Sequence, residues 1–68
     1  MSVNKTITVV STSKDSFEEA TRLGVAKASK TLRGVSGAKV IEMAADVANG
    51  ELTEFRVTLE IAFALEGA

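Results

Sequence analysis

Cysteine, histidine, tryptophan and tyrosine are all missing from this 68-residue chain, and three phenylalanines are its only aromatics. Each absence closes off a class of function. Without cysteine no disulfide can staple a small fold, a composition that suits a reducing compartment. Without cysteine and histidine, zinc sites built from those ligands cannot form. Catalysis loses its usual thiol, its usual imidazole base and its phenol. Ser11, Thr12, Ser13 and Ser16 stand beside no obvious base and suit loop and cap chemistry better. Paired carboxylates can perform acid–base work, but no pair falls in a recognisable pocket. The chain reads as a protein that is not an enzyme.

An excess of one charge is missing too. Eight basic and nine acidic residues are spread along the chain, for a net charge of −1. No basic run or stripe is present, so nucleic acid is not an expected partner. No stretch reaches the ~18 consecutive apolar residues that suggest a membrane-spanning helix. The opening Met1-Ser2-Val3-Asn4-Lys5 has neither the apolar core nor the cleavage site of a signal peptide. A soluble, cytoplasmic protein with no membrane partner is the expectation.

The length allows one domain, residues 1–68. A domain near this size buries only about 60% of the surface its unfolded chain exposes. Small folds therefore lean on disulfides, a structural metal or self-association. With the first excluded and the commonest zinc ligands absent, self-association is the expected staple.

What is present is a long alternation. From Thr53 to Leu65, Phe55, Val57, Leu59, Ile61, Phe63 and Leu65 fall on one side. Glu54, Arg56, Thr58, Glu60, Ala62 and Ala64 fall on the other. Successive side chains of a strand point to opposite faces of a sheet, so this period of two predicts a half-buried strand. The second face is polar at the start and small and apolar at the end, which suits contact with another subunit.

Two further elements precede it. Lys5 to Val10 is rich in β-branched residues, sets Ile7 and Val9 on one face, and predicts a short strand ending at Ser11-Thr12-Ser13. Ser16-Phe17-Glu18-Glu19 then matches the capping box that opens a helix. Asp15, Glu18 and Glu19 gather at its start and Lys27, Lys30 and Arg33 at its end, complementing the helix dipole, and Gly34 supplies the stop. Phe17, Ala20, Gly24, Ala28 and Leu32 share one helical face. Gly24 costs roughly 1 kcal/mol relative to Ala in a helix interior. Close approach of the sheet's Phe and Leu residues is the simplest compensation.

Val35 to Val47 predicts the second strand, followed by the turn Ala48-Asn49-Gly50-Glu51. Asn-Gly between two alternating runs signals a hairpin. Matching apolar to apolar faces favours a three-residue loop with Gly50 left-handed and an adjoining bulge. That register pairs Ile41 with Val57 and Met43 with Phe55 on one face, and Glu42 with Arg56 and Val40 with Thr58 on the other. The fold class is then α+β: a βαββ chain whose three-stranded antiparallel sheet, in order 1-3-2, carries one helix on one face. The expected core is Ile7, Val9, Phe17, Ala20, Gly24, Ala28, Ile41, Met43, Val57, Leu59, Ile61 and Phe63. Nothing in the chain covers the opposite face, and both sheet edges are open, so a symmetric assembly is expected.

Four segments carry a resemblance to a known family. They are Met1-Ser2-Val3 with Lys5, then Ser11 to Ala20, then Ala28-Ser29-Lys30-Thr31-Leu32-Arg33, and Arg56-Val57-Thr58-Leu59 with Phe63-Ala64-Leu65-Glu66. Together they resemble the dodecins, over essentially the whole chain. The resemblance implies a hollow homododecamer of 23 symmetry that binds or stores flavins (riboflavin, FMN or lumichrome) and does not catalyse.

Carried over residue by residue, the resemblance meets two substitutions. The family's flavin-stacking tryptophan at the start of the second strand corresponds to Gly37, which has no π face. Its glutamine on the last strand, which bonds the polar edge of the ring, corresponds to Arg56, which donates but cannot accept. The resemblance thus implies a retained fold with weak or lost flavin affinity. Other roles are open for the charged face. Glu42, Glu54, Arg56 and Glu60 can form a cross-strand salt network. Some dodecins bind calcium, and Asp46, Glu54 or Glu60, multiplied by symmetry, could hold a divalent cation through oxygen ligands. Arg56 could instead meet a phosphate or carboxylate on a cofactor.

Overall fold

In a computed structural model, described here for residues 3–65, the order is β1 (Asn4–Ser13), α1 (Phe17–Thr31), β2 (Val35–Ala48) and β3 (Glu51–Ala64). Met1, Ser2 and Glu66, which contribute to the family resemblance, lie outside the described residues. The sheet order is β1-β3-β2, with β1 and β2 each antiparallel to β3. This is the expected α+β architecture. Among the described residues, no helix is long and apolar enough to cross a membrane.

The period-two run becomes the central strand. Val57, Leu59 and Ile61 of β3 are fully buried, with Ala20 and Ala28 of α1 packed on them. Burying each of the three branched side chains contributes about 1.5–3 kcal/mol. Ile7, Val9, Phe17, Val25, Leu32 and Val35 close the margins of this core. Phe17 meets Phe55 edge to face, with ring centroids 5.0 Å apart.

The helix begins where its cap dictates. Ser16 Oγ accepts a hydrogen bond from the Glu19 backbone amide at 2.9 Å. At the other end Leu32 is extended, its amide donating to the Ala28 carbonyl, and Gly34 turns the chain at φ +69. Gly24 is explained by proximity. A Cβ there would lie 2.7 Å from Leu59 Cδ1 and 3.1 Å from Ser11 Cβ, so the helix rests directly on β3 and β1.

Three sequence-based expectations are corrected. First, β1 runs through Ser11, Thr12 and Ser13 instead of ending before them. Ser11 is the small residue beneath Gly24, and Ser13 is buried with its hydroxyl accepting from the Asp15 amide. Small polar residues here let the helix descend onto the strand.

Second, the hairpin has a two-residue loop, Asn49-Gly50, between paired Ala48 and Glu51. Both loop residues have positive φ, 54 and 79, the conformation whose twist matches that of the flanking strands. The faces are matched by bulges within the ladder, which leave Thr53 unpaired on β3 and Ser36 and Ile41 unpaired on β2. Met43 therefore pairs with Val57, Ala44 with Arg56, Glu42 with Thr58 and Val40 with Leu59. None of the four pairings expected from a three-residue loop forms.

Third, Ile41 and Met43 are not in the protomer's core. They are 47% and 56% exposed, because α1 packs mainly over β1 and β3 and leaves β2 largely uncovered.

Candidate functional site

The face of the sheet away from the helix carries the charged residues, and the bulges decide which of them meet. Along β3 this face shows Glu54, Arg56, Thr58, Glu60 and Ala62. Opposite them on β2 stand Asp46, Ala44, Glu42, Lys39 and Gly37. On the β1 side Arg56, Thr58, Glu60 and Ala62 face Thr12, Val10, Thr8 and Thr6.

Arg56 sits where the sheet narrows from three strands to two, since β1 ends one residue later opposite Phe55. Its guanidinium reaches diagonally to Asp46 and donates to Oδ1 at 3.1 Å. Diagonal cross-strand neighbours lie ~7–8 Å apart at the backbone, within reach of a long side chain. Asp46 is held there by the bulge, where the Thr53 hydroxyl donates to the Asp46 backbone carbonyl at 3.3 Å. The pair is open to solvent, with side-chain exposures of 40% and 48%.

The expected salt network of Glu42, Glu54, Arg56 and Glu60 takes a different form. Arg56 engages Asp46, and Glu42 stands opposite Thr58. This pairing eluded sequence reasoning because the bulge at Thr53 is what brings Asp46 within reach of Arg56. The signal available was the Asn-Gly dipeptide, whose two-residue turn forces a compensating bulge if the faces are to match.

Gly37 follows the first β2 bulge and lies opposite Ala62. A Cβ at Gly37 would find open space, with no atom within 4 Å. Six residues of β3 separate the Ala62 and Arg56 registers, about 20 Å of strand. Gly37 and Arg56 of one protomer therefore cannot touch the same ring.

Of the three cation candidates, Asp46 and Glu54 are direct register partners, whereas Glu60 lies six residues farther along β3 between Thr8 and Lys39. Among the described residues no group of three or more Asp, Glu, His or Cys side chains gathers in one place.

An apolar groove of about 540 Å³ lies between α1 and the free edge of β1, lined by Ile7, Val9, Leu23, Gly24, Lys27 and Ala28. Gly24 thus serves the packing of the helix and also shapes this groove.

Comparison with known proteins agrees with this architecture. The Dodecin family model matches residues 3–66. A dodecin of Thermus thermophilus is 34% identical over 64 residues, covering 94% of this chain and 93% of its own. The crystal structure of an arginine-to-alanine variant of the T. thermophilus dodecin superposes with a TM-score of 0.91 at 35% identity, covering 97% of this chain and 98% of its own. The calcium dodecin of Mycobacterium tuberculosis, described as a calcium-chelating antigen, superposes with a TM-score of 0.81 at 31% identity, covering 98% and 96%. With a family match across nearly its whole length and the same βαββ sheet, the chain belongs to the dodecin family.

Proposed function

We propose that this chain, a single dodecin-like domain, assembles into a hollow cytoplasmic homododecamer of 23 symmetry. The shell binds or stores small ligands of the flavin class, through a site altered so far that flavin affinity is weak or lost. Dodecins are binding and storage proteins, and the sequence has no cysteine, histidine or tyrosine.

The observation that carries the shell is the bare second strand. Val40, Ile41, Met43 and Val47 of β2 are all exposed in the protomer, Val47 to 63%. Val10 on the opposite face is 61% exposed. Apolar side chains in such number on an uncovered strand and an open edge favour burial against further copies. Within such a shell, Gly37 of one protomer and Arg56 of another supply the two positions that stand too far apart in a single chain.

The alteration rests on Gly37. A stacking side chain contributes a large apolar face and a quadrupole, and glycine contributes neither. Riboflavin, FMN and lumichrome should therefore be quenched only weakly by the wild-type protein, and much more strongly by Gly37→Trp. Tight quenching by the wild type would contradict the altered site. No quenching by Gly37→Trp would contradict the flavin class itself.

A divalent-cation shell is the second reading, favoured by the direct opposition of Asp46 and Glu54 and by the calcium-chelating relative. Arg56 already occupies Asp46 Oδ1, which lowers the charge available to a cation. Calcium titration by calorimetry should show no site tighter than the millimolar range; micromolar binding lost in Glu54→Gln would favour this second reading.

A further inference from the structure

We propose that the hairpin tip of one copy, Asp46 to Glu54, docks in the groove between α1 and β1 of a second copy, so that subunits of the shell join head to tail around a three-fold axis. The inference deepens the assembly reading above and rests on it.

The tip is a surface in need of cover. β1 ends opposite Phe55, so residues 46–54 project as a two-stranded ribbon with no third strand beside them. A lone two-stranded hairpin is marginally stable in water. Val47 and Leu52 are register partners within it, and they are 63% and 54% exposed. Register partners share a face of the ladder, so the two form one apolar patch.

The groove is the matching half. It holds about 540 Å³ along the free edge of β1, walled by Ile7, Val9 and Leu23 and deepened by the missing side chain of Gly24. A cavity of about 150 Å³ already accepts benzene, so the groove has room for both Val47 and Leu52. Leu23 on its rim is itself 48% exposed. β1 and β2 are the two edges of the sheet with β3 between them, and the tip extends the edge opposite the groove. One protomer cannot bring tip and groove together, whereas two copies can.

Charge decides how the copies meet. Residues 46–54 carry Asp46, Glu51 and Glu54 and no base. Asp46 already pairs with Arg56, so Glu51 and Glu54 give the tip its net charge. Residues 24–33 carry Lys27, Lys30 and Arg33 and no acid, with Lys27 in the groove wall. The acidic residues sit on the register pairs directly before and after Val47 and Leu52, so their carboxylates leave the ribbon on its other face. They form the polar rim of a contact whose centre is apolar. A two-fold contact would set tip on tip or groove on groove, opposing like charges across the interface, which is costly. A head-to-tail contact sets acid on base. Contacts of that kind close into rings, and the ring that 23 symmetry offers has three members.

The test is chemical cross-linking of the assembled protein. The wild type has no cysteine, so Leu23→Cys combined with Val47→Cys places one thiol on each half of the contact. A short bismaleimide is added to this variant after sedimentation has established its assembly and that of the wild type. Denaturing electrophoresis should show covalent dimer and trimer, up to about three times the 7.1-kDa chain, and nothing larger. Either single variant should remain at one chain. Unlinked chains from the double variant, dimers from a single variant, or a ladder beyond three would overturn the docking and leave the shell standing. A wild type that sediments as a monomer fails the shell and the docking together. If the cysteines themselves prevent assembly, a charge exchange decides. Lys27→Glu and Glu51→Lys should each raise the concentration at which the shell dissociates about tenfold or more, and the two together should return it to within about threefold of wild type. Two losses that simply add would overturn the docking.

Discussion

Arg56 donates to Asp46 across a ladder in which neither is the other's register partner. Arg56 pairs with Ala44 and Asp46 with Glu54, and the guanidinium spans the diagonal between them. The contact exists because the chain inserts Thr53 as an extra residue of β3. A ladder in the register of the Asn49-Gly50 turn, carried on without that insertion, would set Asp46 and Arg56 on opposite faces. A small irregularity of the backbone thus decides the chemistry of a surface.

An exposed ion pair of this kind contributes about 0–1 kcal/mol. Asp46→Asn and Arg56→Ala should each therefore change unfolding free energy by less than about 1 kcal/mol, as read by denaturant unfolding at fixed protein concentration. A larger loss would assign the pair a structural role beyond that of an exposed ion pair.

Gly24 is a packing position. Alanine there gains about 1 kcal/mol of helix propensity but drives its Cβ to 2.7 Å from Leu59 Cδ1 and 3.1 Å from Ser11 Cβ. Overpacking a tight core costs about 1–3 kcal/mol, and because Ser11 Cβ is tied to the backbone the helix must lift. Gly24→Ala should lower the melting temperature, and Leu59→Ala should cost about 2–5 kcal/mol through its cavity. Because Leu59→Ala makes room for the new methyl, the double variant should be more stable than the sum of the two losses implies. Thermal unfolding of the four proteins at one concentration checks this.

The turn gives a contrast between two glycines with equal space. A Cβ at Gly50 or at Gly37 would meet nothing within 4 Å, yet Gly50 alone has positive φ, at +79. Gly50→Ala should cost about 1–2 kcal/mol from backbone strain. Gly37→Ala should cost little in the protomer. Unfolding curves for the two variants separate strain from crowding.

The readable part of this fold lay in residues whose role is local. Ser16 announces the helix cap, Gly24 announces a close approach, and Phe55 to Phe63 announces the central strand, and each stands where the pattern places it. Register was not readable, because the bulges at Ser36, Ile41 and Thr53 leave no mark in the composition and each one exchanges faces. The exposure of Met43 follows from where the helix lies across the sheet, a tertiary choice that no strand pattern contains. For the site, Gly37 drew attention through family resemblance alone, and Arg56 through that resemblance and through its place among the expected cross-strand charge pairs. Asp46 drew attention as a carboxylate, and its bond to Arg56 awaited the three-dimensional register.

The uncovered strand yields a prediction about assembly. Met43→Glu places a charge at a position that is 56% exposed in the protomer and pairs with buried Val57. The protomer can solvate that charge, whereas a subunit interface cannot do so cheaply. The variant should keep its far-ultraviolet circular dichroism at low temperature and shift to smaller species in sedimentation. Full-size particles from Met43→Glu would place β2 outside the contacts between copies.

Sedimentation equilibrium of the wild-type protein from high to low micromolar concentration tests the shell most directly. A homododecamer gives a single species of about twelve times the 7.1-kDa protomer mass that persists on dilution. Well-folded 7.1-kDa monomers at micromolar concentration would contradict it, because the apolar residues of β2 would then be shown to need no cover.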